Sequence, residues 1–152
     1  MITLVVLAVA LAAAIVAGIL VRRNEGRVRS SAPVASPAAE SNRAALLSAA
    51  GVVEGRPTVL HFSADWCGPC AAVRRVVANV VAELSDAPAP PLDLEVDIDA
   101  EPELARELNV LSLPTTFVLD VHGVERFRIS GVPKAADLRT SLGSLTVPGP
   151  TE

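Results

Sequence analysis

The sequence is poor in the residues that build metal, haem and nucleic-acid sites. Its 152 residues include two histidines and only two cysteines, Cys67 and Cys70. No second cysteine pair or histidine cluster is present to complete a zinc shell. Ala71 rather than histidine follows Cys70, so the motif for covalent haem attachment is missing. The formal net charge of −4 at pH 7 argues against a nucleic-acid partner. We therefore predict no metal, no bound cofactor and no nucleic acid.

Aromatic residues make up only 3% of the chain, although 51% of it is hydrophobic. The apolar excess lies at the N-terminus, where residues 2–21 contain one polar residue, Thr3, and no charge. Twenty helical residues are about 30 Å long, which matches the hydrocarbon thickness of a bilayer. The run predicts a transmembrane anchor over residues 1–22, with lipid as the partner of residues 2–21. A cleaved signal peptide is the alternative, but it would have a basic leader and a shorter apolar core.

Charge after the apolar run predicts its orientation. The charged residues that directly follow the run are Arg22, Arg23, Glu25, Arg27 and Arg29. They give this flank a net charge of +3, and residues 30–152 carry the remaining −7. The positive-inside rule then places the rest of the chain in the cytoplasm, with the extracytoplasmic side as the alternative. We predict a basic flank and Ser/Ala/Pro-rich linker over residues 23–41, a folded domain over 42–146 and a disordered tail over 147–152.

The two cysteines stand two residues apart, in the stretch Asp65-Trp66-Cys67-Gly68-Pro69-Cys70. A strand pattern over residues 57–63 precedes them, and apolar residues at helical spacing follow over 70–84. Cys67 is therefore expected at a helix N-terminus, where the helix dipole favours a thiolate. We predict that Cys67 is the nucleophile of a redox pair and that Cys70 is the resolving thiol. Pro69 can fix the start of the helix because its missing N–H is not needed there.

This motif resembles the signature of the thioredoxin family, and the resemblance extends to about residue 145. Further matching features are an acidic strand, the segment Leu113-Pro114-Thr115, a hairpin turn at His122-Gly123, and Gly131. The resemblance implies an α/β thioredoxin fold, with helices on both faces of a mixed four-stranded sheet and room for a weak fifth strand. The elements that we predict are helices over 42–50, 70–84, 102–108 and 135–142, and strands over 57–63, 92–98, 115–120 and 124–130.

The resemblance also implies where substrates bind. The bond between Leu113 and Pro114 is expected to be cis and to lie against the cysteine turn. The backbone of Leu113 can then pair with an extended substrate segment. The remaining predicted substrate-binding residues surround the cysteine turn, namely Trp66, Gly68, Pro69, Thr115 and Gly131.

Two positions depart from the family pattern in a way that bears on the chemistry. Family members usually carry a buried aspartate before the first cysteine and a lysine in the next central strand. This chain has His61 and Glu95 at those positions. His61 is a candidate general base for the Cys70 proton, with Glu95 orienting the ring. The alternative is that His61 is only a buried histidine satisfied by a neighbour.

Together these features predict a membrane-tethered thiol–disulfide oxidoreductase that reduces protein disulfides through Cys67 and Cys70. Gly-Pro between the cysteines is the dipeptide of reducing thioredoxins, and the absence of other cysteines agrees with a reducing compartment. The expected partners are disulfide-bearing proteins and an upstream reductase, and the expected state is a monomer. Two alternatives stay open: an oxidant or isomerase on the extracytoplasmic side, and a non-enzymatic adaptor or chaperone.

Overall fold

The computed structural model describes residues 2–24, 28–30 and 37–146. The helices in these ranges are α1 (Ile2–Asn24), α2 (Pro37–Ala49), α3 (Cys70–Glu83), α4 (Pro102–Glu107) and α5 (Ala135–Gly143). The strands are β1 (Val28–Ser30), β2 (Thr58–Ser63), β3 (Leu92–Asp97), β4 (Thr115–Leu119) and β5 (Glu125–Ser130). Every helix and strand predicted for the folded domain is present, and all but the first helix begin and end within one residue of the prediction.

The strands of the described ranges form one sheet in the order β1-β5-β4-β2-β3. β2 and β3 run parallel, and the other neighbouring pairs are antiparallel, which confirms a mixed sheet. β1 is the fifth strand that the sequence left open. It pairs with the outer edge of β5, where Val28 lies opposite Ile129.

β2 lies inside the sheet, between β3 and β4, and all six of its residues are buried. Alternate side chains point to opposite faces of a strand. Leu60 and Phe62 pack into the core beneath α2 and α4. Val59 packs into the second core, beneath α3 and α5. The period of two therefore places His61 and Ser63 on the α3 face as well.

α3 is amphipathic, and its apolar side determines where the cysteine turn lies. Val73, Val77 and Val80 recur at helical spacing and are fully or almost fully buried against the sheet. Cys70, one turn before Val73, is on the same buried side. The packing of α3 thus holds Cys70 over the carboxyl end of β2.

The β4–β5 connection has the predicted turn at His122 and Gly123. Gly123 has φ +76°, a conformation that glycine adopts without a Cβ penalty. The carboxylate of Asp120 accepts hydrogen bonds from the amides of His122 and Val124. These bonds close the hairpin and set the register of its strands.

The predicted linker over residues 23–41 contains regular structure that its Ser/Ala/Pro composition does not suggest. Residues 28–30 form β1, and α2 begins at Pro37, five residues before the predicted helix. Proline is well suited to a first helical position, and Glu40 in the first turn complements the helix dipole. Residues 25–27 and 31–36 of the linker, and the predicted tail at 147–152, lie outside the described residues.

The N-terminal apolar run forms a helix, α1, as its composition predicts. However, the described part of the chain holds no helix with the length and apolar character needed to cross a membrane. The predicted single-pass anchor, its lipid partner and the placement of the domain on one side of a membrane are therefore wrong. The prediction relied on the length and composition of the run alone; in the structure its described large apolar side chains, among them Val6, Leu7 and Ile15, are more than half exposed.

Candidate functional site

Cys67 and Cys70 form a disulfide, with their Cα atoms 5.5 Å apart. Cys67 lies in the turn between β2 and α3, and Cys70 is the first residue of α3. Cys70 is only 1% exposed, whereas Cys67 is partly exposed. An incoming thiol or disulfide therefore reaches the sulfur of Cys67 before that of Cys70.

The cysteine turn is held at the end of the sheet by backbone hydrogen bonds. The amide of Cys67 donates to the carbonyl of Ala64, and the amide of Cys70 donates to the carbonyl of Cys67. Pro69 is the N-cap of α3. It thus lies at the start of the helix, as predicted, but one position before the first helical turn. The positive end of the α3 dipole faces this turn and stabilises a thiolate there.

Leu113 and Pro114 are joined by a cis peptide bond, as predicted. Thr115 pairs with Phe62 across β4 and β2, so Leu113 and Pro114 lie at the end of the sheet where β2 leads into the cysteine turn. The carbonyl of Pro114 accepts a hydrogen bond from Gly131. Within residues 37–146, no backbone hydrogen bond of a turn or loop involves the N–H or the C=O of Leu113.

The predicted substrate-binding side chains divide into exposed and buried ones. Trp66 is 69% exposed, and its indole N–H donates to Asp99 over 3.0 Å. Gly68 and Pro69 are also exposed. Thr115 is buried, and its hydroxyl donates to the carbonyl of Ser112. Thr115 therefore supports the cis-proline loop from inside and does not present its side chain to a partner.

His61 and Glu95 are register partners on β2 and β3 and interact electrostatically, but the hydrogen-bond partner of the ring is a different acid. His61 Nε2 lies 3.0 Å from Oδ1 of Asp93 instead. Asp93 is two residues before Glu95 and therefore on the same face of β3. The sequence could not separate these two acids, because a side chain can reach its diagonal neighbour as well as the residue directly opposite.

Glu95 has partners other than His61. Its Oε1 accepts a hydrogen bond from Nε of Arg74 on α3 over 2.7 Å. Burial raises the pKa of Glu95, but hydrogen bonds from Ser63 and Arg74 and the nearby positive charge outweigh it and hold this pKa below its ordinary value. Glu95 is thus held ionised by Ser63 and α3. Asp93 and Arg74 were not among the predicted site residues, and the alternation of acids along β3 was the available signal for Asp93.

Cys70 lies close to the backbone that carries His61. Its Sγ is 3.8 Å from the carbonyl oxygen of Phe62, the residue that follows His61. His61 is only 2% exposed and faces α3, as Cys70 faces the sheet. Among the described residues, no group of three or more His, Cys, Asp or Glu is arranged to hold a metal ion.

Comparison with known proteins places this arrangement in a family. The thioredoxin family model matches residues 44–144, which run from the C-terminal part of α2 to the end of α5. A thioredoxin from Mycolicibacterium smegmatis is 40% identical over 85 residues, which are 55% of this chain and 74% of that protein. Thioredoxin H2 from Arabidopsis thaliana is 37% identical over 76 residues, covering 50% of this chain and 53% of that protein.

Comparison with a solved structure also identifies the fold as that of a thioredoxin. The X-ray structure of Fasciola hepatica thioredoxin superposes with a TM-score of 0.53 at 26% identity, covering 70% of this chain and 93% of that one. The family match, the cysteine disulfide at the strand-to-helix turn and the cis-proline loop agree with one another. The chain belongs to the thioredoxin family and is a thiol–disulfide oxidoreductase.

Proposed function

We propose that this protein reduces disulfides in other proteins, with Cys67 as the attacking thiolate and Cys70 as the resolving thiol. The unequal exposure of the two sulfurs is the observation that carries the proposal. Cys70 is enclosed by α3 and β2, whereas Cys67 is open to a partner. Cys67 is therefore the sulfur that a substrate disulfide can approach, and Cys70 is reached only by the sulfur of Cys67 within the same chain.

The reaction runs in two balanced steps. First, the Cys67 thiolate attacks one sulfur of the substrate disulfide, so that a mixed disulfide forms and one substrate thiolate leaves. Secondly, Cys70 loses its proton and attacks the Cys67 sulfur, which restores the Cys67–Cys70 disulfide and releases the second substrate thiolate. Two electrons pass from the protein to the substrate. An upstream reductase must return them, and the cysteine pair itself serves as the redox centre without a bound cofactor.

The substrate segment is proposed to lie along the cis-proline loop. The backbone of Leu113 is available for pairing, and Trp66, Gly68 and Pro69 form an exposed border beside Cys67. An extended peptide that pairs with Leu113 by strand addition presents its disulfide to Cys67. Gly131 supports this loop through its hydrogen bond to Pro114. This mode needs one copy of the chain, and we propose that it acts as a monomer.

His61 is proposed to accept the Cys70 proton in the second step. It is buried on the sheet face beneath Cys70, where water has poor access, so an internal base is needed for a thiol with an ordinary pKa near 8.5. Glu95, the register partner of His61, is proposed to support this site through the hydrogen bond that it accepts from Arg74 on α3.

The test is insulin reduction in the presence of dithiothreitol, followed as turbidity. The wild-type protein should accelerate precipitation, and Cys67→Ser should abolish the acceleration because no attacking thiolate remains. Cys70→Ser should trap a mixed disulfide on Cys67 that is visible on a non-reducing gel. Trapping by Cys67→Ser in place of Cys70→Ser would reverse the two roles. A wild-type protein that binds insulin without reducing it would favour the adaptor alternative.

A further inference from the structure

The α3 face of the sheet contains a buried polar row that simple packing does not require. His61 on β2 lies between Thr116 on β4 and the β3 acids, since Thr116 and Glu95 are its register partners. Thr116 is fully buried. Its Oγ1 is the one buried side-chain polar atom of the described residues that has no hydrogen-bond partner. A buried hydroxyl without a partner is unfavourable, so its presence on this row needs a reason.

Asp93 connects the buried ring of His61 to solvent. The ring is 2% exposed, whereas the Asp93 side chain, 3.0 Å away, is 33% exposed on the outer strand β3. A carboxylate that accepts from Nε2–H selects the tautomer in which Nδ1 carries a lone pair. The ring is then prepared to receive a proton at Nδ1. Protonation creates a second N–H inside the core, and that N–H needs an acceptor.

We propose that Asp93 is the positioning residue of His61 and that Thr116 Oγ1 is the acceptor for the protonated ring. This inference rests on the proposed function of Cys70 as the resolving thiol. When the mixed disulfide is resolved, the Cys70 S–H proton passes to Nδ1 of His61. The new thiolate forms the bond to Cys67 and displaces the substrate thiolate. The imidazolium donates from Nε2 to Asp93 and from Nδ1 to Thr116, and its Nε2 proton then leaves to solvent through Asp93. When the upstream reductase opens the Cys67–Cys70 disulfide again, the Nδ1 proton returns to the Cys70 thiolate and Nε2 takes up a proton from solvent, which restores the starting tautomer.

The charged groups that face this ring are few. Asp93 and Glu95 approach it from β3, and Arg74 approaches from α3 but is paired with Glu95. β4 contributes the neutral Thr116. Asp93 is the acid in hydrogen-bond contact with the ring, so its removal should leave the ring without an oriented partner and should not disturb the Arg74–Glu95 pair.

The experiment separates the two steps with a symmetrical nitrobenzoate disulfide, whose released thiolate is coloured. Mixed with the reduced full chain in a stopped-flow instrument, it gives one thiolate when Cys67 attacks and a second when Cys70 resolves. Asp93→Asn should slow the second phase about 10-fold and leave the first phase unchanged. Asp93→Glu should recover most of the rate. Thr116→Val should slow the second phase several-fold.

Asp97→Asn is the matched control, because Asp97 lies on the same face of β3 and its carboxylate accepts the Asp99 amide instead of contacting His61. It should leave both phases unchanged. Asp93→Asn should also have no further effect in a His61→Ala background, since Asp93 acts through the ring.

The inference is overturned if Asp93→Asn leaves the second phase unchanged, or slows it equally with and without His61. An unchanged second phase in Thr116→Val removes Thr116 from the relay. Failure of the proposed function gives a different result, because the wild-type protein would then lack insulin turnover while the two coloured phases still report on the sulfurs.

Discussion

The ion pairs of Glu125 allow a direct test of how burial changes the contribution of an ion pair to the free energy of unfolding. Its carboxylate, 7% exposed, lies 2.6 Å from Arg43 on α2 and 2.9 Å from Arg128, three residues further along β5. Arg128 also lies over the ring of Phe117, 4.6 Å from its centroid. The carboxylate thus joins the first helix of the domain to the β-hairpin.

Replacing Glu125 with glutamine removes the charge and keeps the shape, so both guanidinium groups lose their ionised partner. Breaking a buried pair costs about 3–5 kcal/mol. Arg128 is 29% exposed and can recover part of its hydration, so we expect a loss of about 2–3 kcal/mol in the free energy of unfolding. With a urea m-value of about 1.5 kcal/mol per molar, the unfolding midpoint should fall by about 1.3–2 M.

Glu83→Gln is the matched control. The Glu83–Arg139 pair has the same 2.6 Å separation as Glu125–Arg43, but its side chains are 49% and 44% exposed. Water screens such a pair, so Glu83→Gln should leave the midpoint close to that of the wild-type protein. Both variants are unfolded in urea at pH 7 with the Cys67–Cys70 disulfide intact. Equal shifts in the two variants would refute the argument that burial, and not distance, decides the contribution.

Two further stability predictions concern the site and its support. Because the pKa of Glu95 is lowered in the folded state, its ionisation contributes stability above the unfolded pKa, and that contribution is lost as the pH falls through the folded pKa. The difference in urea midpoint between the wild-type protein and Glu95→Gln should shrink between about pH 5 and pH 3, and a constant difference would contradict the assignment. Val77→Ala, at a fully buried position of α3, should cost about 2–3 kcal/mol. Val132→Ala, at a partly exposed loop position, should cost much less, and equal losses would contradict the packing described for α3.

The sequence predicts the central elements because their local patterns and their environments agree. β2 is a run of residues suited to burial, and α3 has one clear apolar side, so strand, turn and helix follow from periodicity alone. The cysteine spacing then locates the redox centre on that turn. The cis bond at Pro114 has no local signal of its own and was expected only from the family resemblance.

Other features depend on contacts between distant residues. β1 has three residues, which are too few to show an alternating pattern. It is a strand because it pairs with the outer edge of β5. The choice of Asp93 over Glu95 by His61 depends on how a side chain leans along the sheet, which a period of two cannot specify. The unpartnered hydroxyl of Thr116 becomes evident only when β4 is placed beside β2.

The exposed indole of Trp66 makes the active-site turn optically separable from the rest of the protein. The chain has no tyrosine and one tryptophan, and that residue is adjacent to Cys67 and held by Asp99. All of the indole fluorescence of this protein therefore comes from the residue next to Cys67. Spectral changes on mixing with a partner report local events at this turn in an unlabelled protein, and no background from a second fluorophore has to be subtracted.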